Sequence, residues 1–205
     1  MPFDFGGGLS SYKIIENSGL ALHKTRNLLS ITDKILASKR LAVFDDAWLD
    51  ELIAWADEND IPDYYFDDES ESWYGFPRDK QQILAMTELA LSSNELTELP
   101  ESIGKLTNLT MLCVSCNGLL FSLPESIGNL TNLTGLSFSS NALCSLPESI
   151  GNLINLTWLV VNGNSLFSLP ESIGNLTNLT SLCVSGNKLS SLPESSNSHY
   201  EIKRS

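Results

Sequence analysis

The sequence has few basic residues and almost no histidine. It contains 12 lysines and arginines against 25 aspartates and glutamates, and its formal net charge is −13. A chain with this charge is repelled by nucleic-acid phosphates and by anionic membranes, so we expect neither as a partner. The two histidines, His23 and His199, are isolated at opposite ends of the chain. The sequence therefore offers no convincing nucleophile–base pair and predicts a protein that is not an enzyme.

Long hydrophobic runs are also absent. The apolar stretches fall far short of the roughly 20 residues that cross a bilayer, so we expect no membrane span. The first residues, MPFDFGGGLSSYK, lack the basic region and the apolar run of a secretory signal. We therefore expect a cytoplasmic protein. Export by a specialised secretion system stays open, because such signals have no simple pattern.

Cysteine is scarce, with four residues: Cys113, Cys116, Cys144 and Cys183. They suggest no disulfide framework, and a reducing cytosol is the simpler interpretation. Cys113 and Cys116 have the spacing of a redox or metal pair. No second pair and no histidine cluster accompany them, which favours a packing or surface role. We expect no cofactor and no metal.

One twelve-residue motif is abundant instead. LPESIGNLTNLT occurs at 123–134 and at 169–180, and it returns with one change at 99–110 and at 146–157. The apolar residues that open successive units are 23, 24, 23 and 23 residues apart: Met86, Leu109, Leu133, Leu156 and Leu179. A fixed period of this length indicates a solenoid in which each unit is one coil.

Each unit divides into a strand, an asparagine turn and a return segment. In LTMLCV the alternation predicts a strand with Leu109, Leu112 and Val114 pointing inward. The outward residues of that stretch are Thr110, Met111, Cys113, Ser115 and Cys116. A buried amide at the end of every strand can bond backbone groups that the turn leaves unpaired. These amides belong to Asn94, Asn117, Asn141, Asn164 and Asn187. In the return segment, which begins with Leu-Pro-Glu-Ser-Ile-Gly, proline and glutamate favour a short helical turn, with glycine as its end.

The whole pattern, L-x-x-L-x-L-x-x-N-x-L-x-x-L-P-E-S-I-G, covers about residues 83–195 and resembles the leucine-rich repeat family. The unit is similar to repeats of bacterial leucine-rich repeat proteins and of Ras-associated leucine-rich repeat proteins. The resemblance implies an α/β fold, namely a curved solenoid with a parallel sheet on its concave face. It also implies that the concave face binds other proteins. One unit has an extra residue between Asn117 and Pro124, where we expect a local bulge.

We expect three regions: a helical N-terminal cap over 1–80, the repeats over 81–195 and a polar tail over 196–205. A locally basic helix is predicted over about 12–39, and packing in its own domain is favoured over membrane binding. A second helix begins at Asp45 or Asp46, carries Trp48, Leu52 and Trp55 on one stripe, and ends near Asn59. We expect this stripe to cover the first coil, because a terminal coil has no neighbour to bury it.

Two segments outside the repeats leave alternatives open. Residues 45–71 hold twelve acids and no lysine or arginine. A solvated acidic face is favoured there over a loop that binds calcium or a basic partner. After Ser195 the repeat stops, so we expect the last coil to stay partly open. Either two such ends pair in a homodimer, or the tail folds back with Tyr200 as a plug.

The candidate binding residues lie on the outward side of the predicted strands. They are Glu88, Met111, Cys113, Trp158, Val160, Asn162 and Cys183. Met111 and Trp158 stand out in one column of small, uncharged residues. An exposed tryptophan in such surroundings is a candidate binding anchor, and the alternative is that it only shields the neighbouring strands.

Three other repeated positions favour structural interpretations. We expect Phe121, Cys144 and Phe167 to pack between coils rather than to bind a partner. A glutamate ladder forms a solvated edge, with attraction of a basic protein as the alternative: Glu101, Glu125, Glu148, Glu171 and Glu194. Four Asn-Leu-Thr triplets match a glycosylation acceptor, but a role within the repeat is favoured. Their asparagines are Asn108, Asn132, Asn155 and Asn178.

The sequence therefore predicts a non-catalytic module that binds a protein partner through the sheet. One alternative is a secreted bacterial effector that acts on a host protein, and another is a scaffold of small-GTPase signalling. A remnant of a leucine-rich repeat ubiquitin ligase is less favoured, because only about ten residues follow the last coil and the catalytic domain would be missing.

Overall fold

The computed structural model describes residues 45–68, 72–195 and 201–203, which fall almost entirely within one compact unit, Asp46–Ser205. The helix predicted over about 12–39 lies outside the described residues and stays a prediction. Two helices, α1 (Ala47–Glu58) and α2 (Lys80–Ala85), flank an antiparallel pair of strands, β1 (Tyr65–Asp67) and β2 (Ser72–Tyr74). The repeats follow α2.

Within the described ranges, six parallel strands form one sheet in chain order. They are β3 (Glu88–Ala90), β4 (Met111–Cys113), β5 (Gly135–Ser137), β6 (Trp158–Val160), β7 (Ser181–Cys183) and β8 (Glu201–Lys203). One leucine of each of the first five strands lies beside the next and is buried: Leu89, Leu112, Leu136, Leu159 and Leu182. The predicted solenoid with a single apolar interior is confirmed.

The strand alternation is also confirmed. Leu109, Leu112 and Val114 are fully buried, whereas Met111 between them is 38% exposed. The extra residue of this unit forms a local turn at Gly118, closed by a 3.0 Å hydrogen bond from the Leu120 N–H to the Asn117 carbonyl. Strand pairing continues across it from Met111 to Gly135, so the unit bulges locally, as predicted.

Each return segment is a 3-10 helix that an extended proline precedes. These helices are Glu101–Lys105, Glu125–Asn129, Glu148–Asn152 and Glu171–Asn175. The prediction that glycine ends the turn is wrong, because the helix continues past Gly128 to Asn129. Glycine is required there for close packing: a Cβ on Gly128 would lie 2.4 Å from the Ser149 carbonyl oxygen of the next coil.

The asparagine column links each coil to its neighbours. Asn117 is fully buried, and its Oδ1 accepts the N–H groups of Asn94 at 3.0 Å and Leu96 at 3.1 Å. Its Nδ2 donates to the carbonyls of Leu91 at 3.0 Å and Ser115 at 3.2 Å. The buried amide thus satisfies backbone groups of two coils, which confirms the predicted role.

Helix α1 covers the first coil, as the sequence predicts. Leu52 and Trp55 are buried, and α1 packs against the 3-10 helix Glu101–Lys105. Trp48 is half-buried, and the Lys105 Nζ lies 5.7 Å from its ring centroid. The Asp46 side chain occupies the N-cap without a hydrogen bond to the helix, and its carboxylate accepts from the Lys80 Nζ at 3.2 Å.

The acidic segment is partly neutralised by two cations that follow it. Arg78 Nε lies 2.7 Å from Asp57 Oδ1, and Lys80 Nζ lies 2.6 Å from Asp50 Oδ1. The hydrogen bond to Asp50, with smaller contributions from Asp46, raises the pKa of the Lys80 ammonium. Among the described residues, no group of three or more His, Cys, Asp or Glu side chains is arranged to hold a metal ion.

The chain folds back after the last coil. Glu201–Lys203 pairs with Ser181–Cys183, and this places Ile202 opposite Leu182. The fold-back hypothesis is confirmed for this backbone, whereas Tyr200 lies outside the described residues. Leu189 and Leu192 are only half-buried, so the last coil is more open than the inner ones. Pairing of two such ends stays a prediction. None of the helices in the described ranges combines the length and apolar character that crossing a membrane requires.

Candidate functional site

The predicted site residues lie on one surface, here called the outward face: the side chains of β3–β7, and of the two residues after each strand, that point away from the interior. Strand register arranges most of them in two rows. The first row is Glu88, Met111, Gly135, Trp158 and Ser181, and the second is Ala90, Cys113, Ser137, Val160 and Cys183. Asn162 lies two residues beyond Val160. The structure therefore brings the predicted residues together.

Trp158 occupies space that Gly135 leaves open. A Cβ on Gly135 would lie 2.1 Å from the Trp158 Cζ2 and 2.3 Å from its Cε2, so the indole lies over the glycine of the neighbouring strand. Gly135 is buried as a result, while Trp158 itself is half-buried. The indole thus shields the strand backbone and still presents surface to solvent. Met111 lies on the other side of Gly135 in the same row.

The second row and the residues after it carry small polar groups that bond one another. Cys113 Sγ lies 3.4 Å from Ser92 Oγ and 3.5 Å from Ser115 Oγ. Ser115 Oγ lies 3.0 Å from Ser137 Oγ. Asn162 Oδ1 accepts the Ser185 N–H at 2.8 Å. Because these groups already have partners, covering them costs less free energy than burying groups that would be left unpaired.

A cavity of about 240 Å³ opens at the β3 end of the outward face. Three predicted site residues, Glu88, Met111 and Cys113, line it together with Tyr74 of β2. Tyr74 stacks on Tyr65, with ring centroids 6.0 Å apart and planes 28° apart. Tyr74 is not recognisable as a site residue from sequence, because no local pattern shows that β2 lies beside β3.

The electrostatics of this end are set by Glu88. Burial raises the pKa of the nearby Tyr64 hydroxyl, and the Glu88 carboxylate raises it further. Both effects disfavour a tyrosinate anion, the first by removing water and the second by charge repulsion. Within the described ranges the ion pairs join Arg78 to Asp57 and Lys80 to Asp46 and Asp50, so Glu88 has no cationic partner there.

A second exposed apolar line lies away from the outward face. Phe121 and Phe167 are 55% and 59% exposed, and Cys144 between them is exposed as well. The expectation that this column packs between coils is wrong, because Leu120, Leu143 and Leu166 already fill the interior one residue earlier. Phe167 instead lies against Lys188, whose Nζ is 5.4 Å from the ring centroid.

The glutamate ladder has a structural role that the sequence pattern does not show. Glu101 Oε2 accepts the N–H of Ser126 in the next coil at 3.2 Å, and Glu125 Oε2 accepts that of Ser149 at the same distance. Glu148 repeats the bond to Ser172 at 3.3 Å. Each carboxylate therefore satisfies an N–H at the start of the following 3-10 helix, which favours negative charge.

The asparagines of the Asn-Leu-Thr triplets also connect coils. Asn108 Nδ2 donates to the Leu84 carbonyl at 2.7 Å, and Asn132 Nδ2 donates to the Thr107 carbonyl at 2.8 Å. Asn155 and Asn178 make the same bond to Thr131 and Ile154. Four equivalent bonds give these side chains a structural role within the repeat.

Comparisons with known proteins agree with this geometry. The sequence model of the Leucine Rich Repeat family matches residues 108–130 and 155–176. A search of curated proteins finds no significant match. Among solved structures, internalin C2 of Listeria monocytogenes is similar at 23% identity and a TM-score of 0.50, over 60% of this chain and 53% of that one. This likeness shows the fold.

Two further solved structures are similar over part of their length. A leucine-rich repeat protein of Leptospira interrogans is 34% identical, with a TM-score of 0.48, over 60% of this chain and 37% of that one. The leucine-rich repeat domain of the type III effector XopL is 33% identical, with a TM-score of 0.49, over 54% of this chain and 40% of that one. The chain thus spans about half or less of the solved structures named here.

Family match, strand register and asparagine column converge on one assignment. Two units match the family directly, and the other units share their spacing, their buried leucines and their inter-coil hydrogen bonds. Residues 108–130 and 155–176 are leucine-rich repeats, and the chain builds a leucine-rich repeat solenoid.

Proposed function

We propose that this protein is a non-catalytic module that binds a protein partner through its outward face. The observation that carries the proposal is the row Met111–Gly135–Trp158, in which two large apolar side chains flank a glycine on a nearly uncharged surface. A tryptophan or methionine that a partner covers contributes most of its binding energy where small polar residues surround it and exclude water.

The indole is suited to act as the anchor because it is already held in place. It packs on Gly135, so little side-chain freedom remains to be lost when a partner binds. Met111 beside it is 38% exposed and flexible enough to adapt to the partner's surface. Together they form the apolar centre of the proposed interface. Serines of the outward face, such as Ser92, Ser115 and Ser137, form its polar rim.

We further propose that the protein works in a reducing compartment such as the cytoplasm. All four cysteines are unpaired, and Cys116 and Cys144 are exposed. Exposed free thiols persist where glutathione and thioredoxin keep them reduced.

Quantitative affinity capture tests the binding face. Wild-type protein, Trp158→Ala and Met111→Ala are used as baits, with Phe167→Ala as the matched control, because Phe167 is an equally large exposed apolar residue away from the outward face. We expect the same captured proteins to fall at least about tenfold with Trp158→Ala, since loss of an interface anchor costs about 2 kcal/mol or more. Met111→Ala should give a smaller loss.

The control separates this face from the rest of the surface. Capture by Phe167→Ala should equal that of the wild type, and circular dichroism should show all variants folded. If Trp158→Ala and Met111→Ala retain every captured protein, or if only Phe167→Ala loses them, the proposed interface is wrong.

A further inference from the structure

The cavity at the β3 end of the outward face has an apolar wall and one charged group. Tyr74, Ala90 and Met111 supply the wall, and Glu88 supplies the charge. Leu89 faces the interior and contributes its backbone to the floor, whereas Glu88 is exposed at the opening. The volume of about 240 Å³ is below the usual range for small-molecule sites, about 300–1,000 Å³. It suits one long side chain rather than a cofactor or a folded element.

The negative charge of the cavity favours a positively charged occupant. Among the described residues, Glu88 is the only carboxylate of the lining, and it has no cationic partner. The chain as a whole carries −13 formal charges, so an acidic ligand is repelled on approach and a basic one is attracted. A cation that reaches Glu88 therefore meets a carboxylate that has no ion-pair partner among the described residues.

The apolar residues of the cavity suit the aliphatic stem of a basic side chain. Lysine and arginine have a long aliphatic stem below a charged head, and the stem packs on apolar surface while the head finds an anion. Here Met111 and Ala90 offer the apolar surface, and the Tyr74 ring offers a face for a cation. The stacking of Tyr74 on Tyr65 holds that ring in place.

We propose that this cavity receives a lysine or arginine side chain from an extended segment of the protein partner, with the cation at Glu88 and the stem along Met111 and Tyr74. This rests on the proposed function, because the cavity shares Met111 with the proposed interface. It gives that interface a preference for a basic residue at Glu88 and an apolar anchor at Trp158, three strands away.

Peptide selection tests the proposal on the full chain. A random dodecapeptide library displayed on phage is selected on the wild-type protein, and the enriched peptides are synthesised and titrated by calorimetry. We expect a lysine or arginine at one constant position. Its replacement by norleucine, which keeps the stem and removes the ammonium, should weaken binding at least about tenfold, in line with truncation of a paired charge at an interface.

Glu88→Gln is the decisive protein variant. It should weaken the lysine peptide to the same extent and leave the norleucine peptide unchanged, because the two losses report one interaction. Glu98→Gln is the matched control, since Glu98 is exposed in the same coil but does not line the cavity. It should bind both peptides as the wild type does.

The outcomes separate this proposal from the wider one. Peptides that depend on Trp158 but show no basic preference and no Glu88 effect would overturn the cavity assignment and leave the binding face standing. Peptides that depend on Glu88 and Met111 but not on Trp158 would support the cavity and contradict the wider face. A library that yields no binder overturns the cavity assignment, while the capture experiment still decides the protein-binding role.

Discussion

The two ends of the repeat array carry the same leucines in very different surroundings. In the first coil Leu96 is fully buried and Leu99 is 6% exposed, with α1 packed against the neighbouring 3-10 helix. Their counterparts in the last coil, Leu189 and Leu192, are only half-buried. A repeat residue is therefore buried by the next coil or by a cap, and not by its own unit. The comparison shows that the same repeat residue stabilises a solenoid to a different extent in an inner coil and in a terminal coil.

The largest expected effect is on matched leucines at the two ends. Leu96→Ala should lower the free energy of unfolding by about 2–5 kcal/mol, the usual range for a fully buried leucine. Leu189→Ala at the equivalent position should cost less than half as much, because its side chain is already in partial contact with water. Urea denaturation followed by circular dichroism measures both.

An equal loss for the two variants would contradict the comparison. It would mean that the open end is covered in solution, as the homodimer hypothesis requires. Sedimentation velocity of the wild-type protein then provides the independent check, since pairing of ends doubles the mass.

The next effect concerns glycines that touch the following coil. Gly128→Ala in the middle of the array places a Cβ 2.4 Å from the Ser149 carbonyl oxygen, and Gly174→Ala places one 2.6 Å from that of Ser195. We expect Gly128→Ala to lower the free energy of unfolding by about 1–3 kcal/mol or more, as overpacking in a tight core does. Gly174→Ala should cost less, because Ser195 belongs to the last coil and has no further repeat coil to hold it.

Thermal unfolding of both variants measures this difference. A melting temperature for Gly174→Ala as low as that for Gly128→Ala would show that the last coil is as rigid as the inner ones. The fold-back strand β8 would then be the element that holds it.

The smallest effect should not depend on the position of the coil in the array. The residue before each column asparagine has a positive φ, with Ser140 at 57° and Gly186 at 64°. Ser140→Gly should stabilise the protein by about 1 kcal/mol, and Gly186→Ala should destabilise it by a similar amount, because a side chain in this conformation costs about 1–2 kcal/mol. Backbone strain is local, so distance from the cap does not enter. Chemical denaturation measures both, and opposite signs are required.

Much of the fold could be predicted from sequence because every unit of the repeat shows the same pattern of apolar residues, asparagine and proline. The inward Leu112, the buried Asn117 and the bulge after it were all predicted, and the structure confirms them. The stripe of α1 with Leu52 and Trp55 was also predicted. In each case the information is local, since it lies in the spacing of apolar residues along one element.

The errors all concern contacts between coils. Gly128 looked like a helix end but serves close packing against the next coil. Glu101 is exposed, as the solvated edge requires, but its bond to an N–H of the next coil was not predicted. Phe121 looked buried but is exposed. Spacing within one unit cannot show which atoms of the neighbouring unit a side chain meets, so these roles needed the stacked structure.

The candidate site also combines features that the sequence predicts with features that only the structure shows. Sequence alone placed Glu88, Met111 and Trp158 in one outward row, because the period of the repeat sets which residues align. It did not show that the indole lies over Gly135, nor that Tyr74 closes a cavity beside Glu88. The first follows from the contact between two strands and the second from a hairpin that no repeat encodes.

For this protein, the sequence by itself determined that coils of 23 or 24 residues stack around a shared apolar interior. Only the tertiary structure decided which outward groups are shielded, which are paired and which remain open to a partner. The physical reason is that periodicity sets the direction in which a side chain points, whereas burial and charge pairing depend on neighbours far away in the chain.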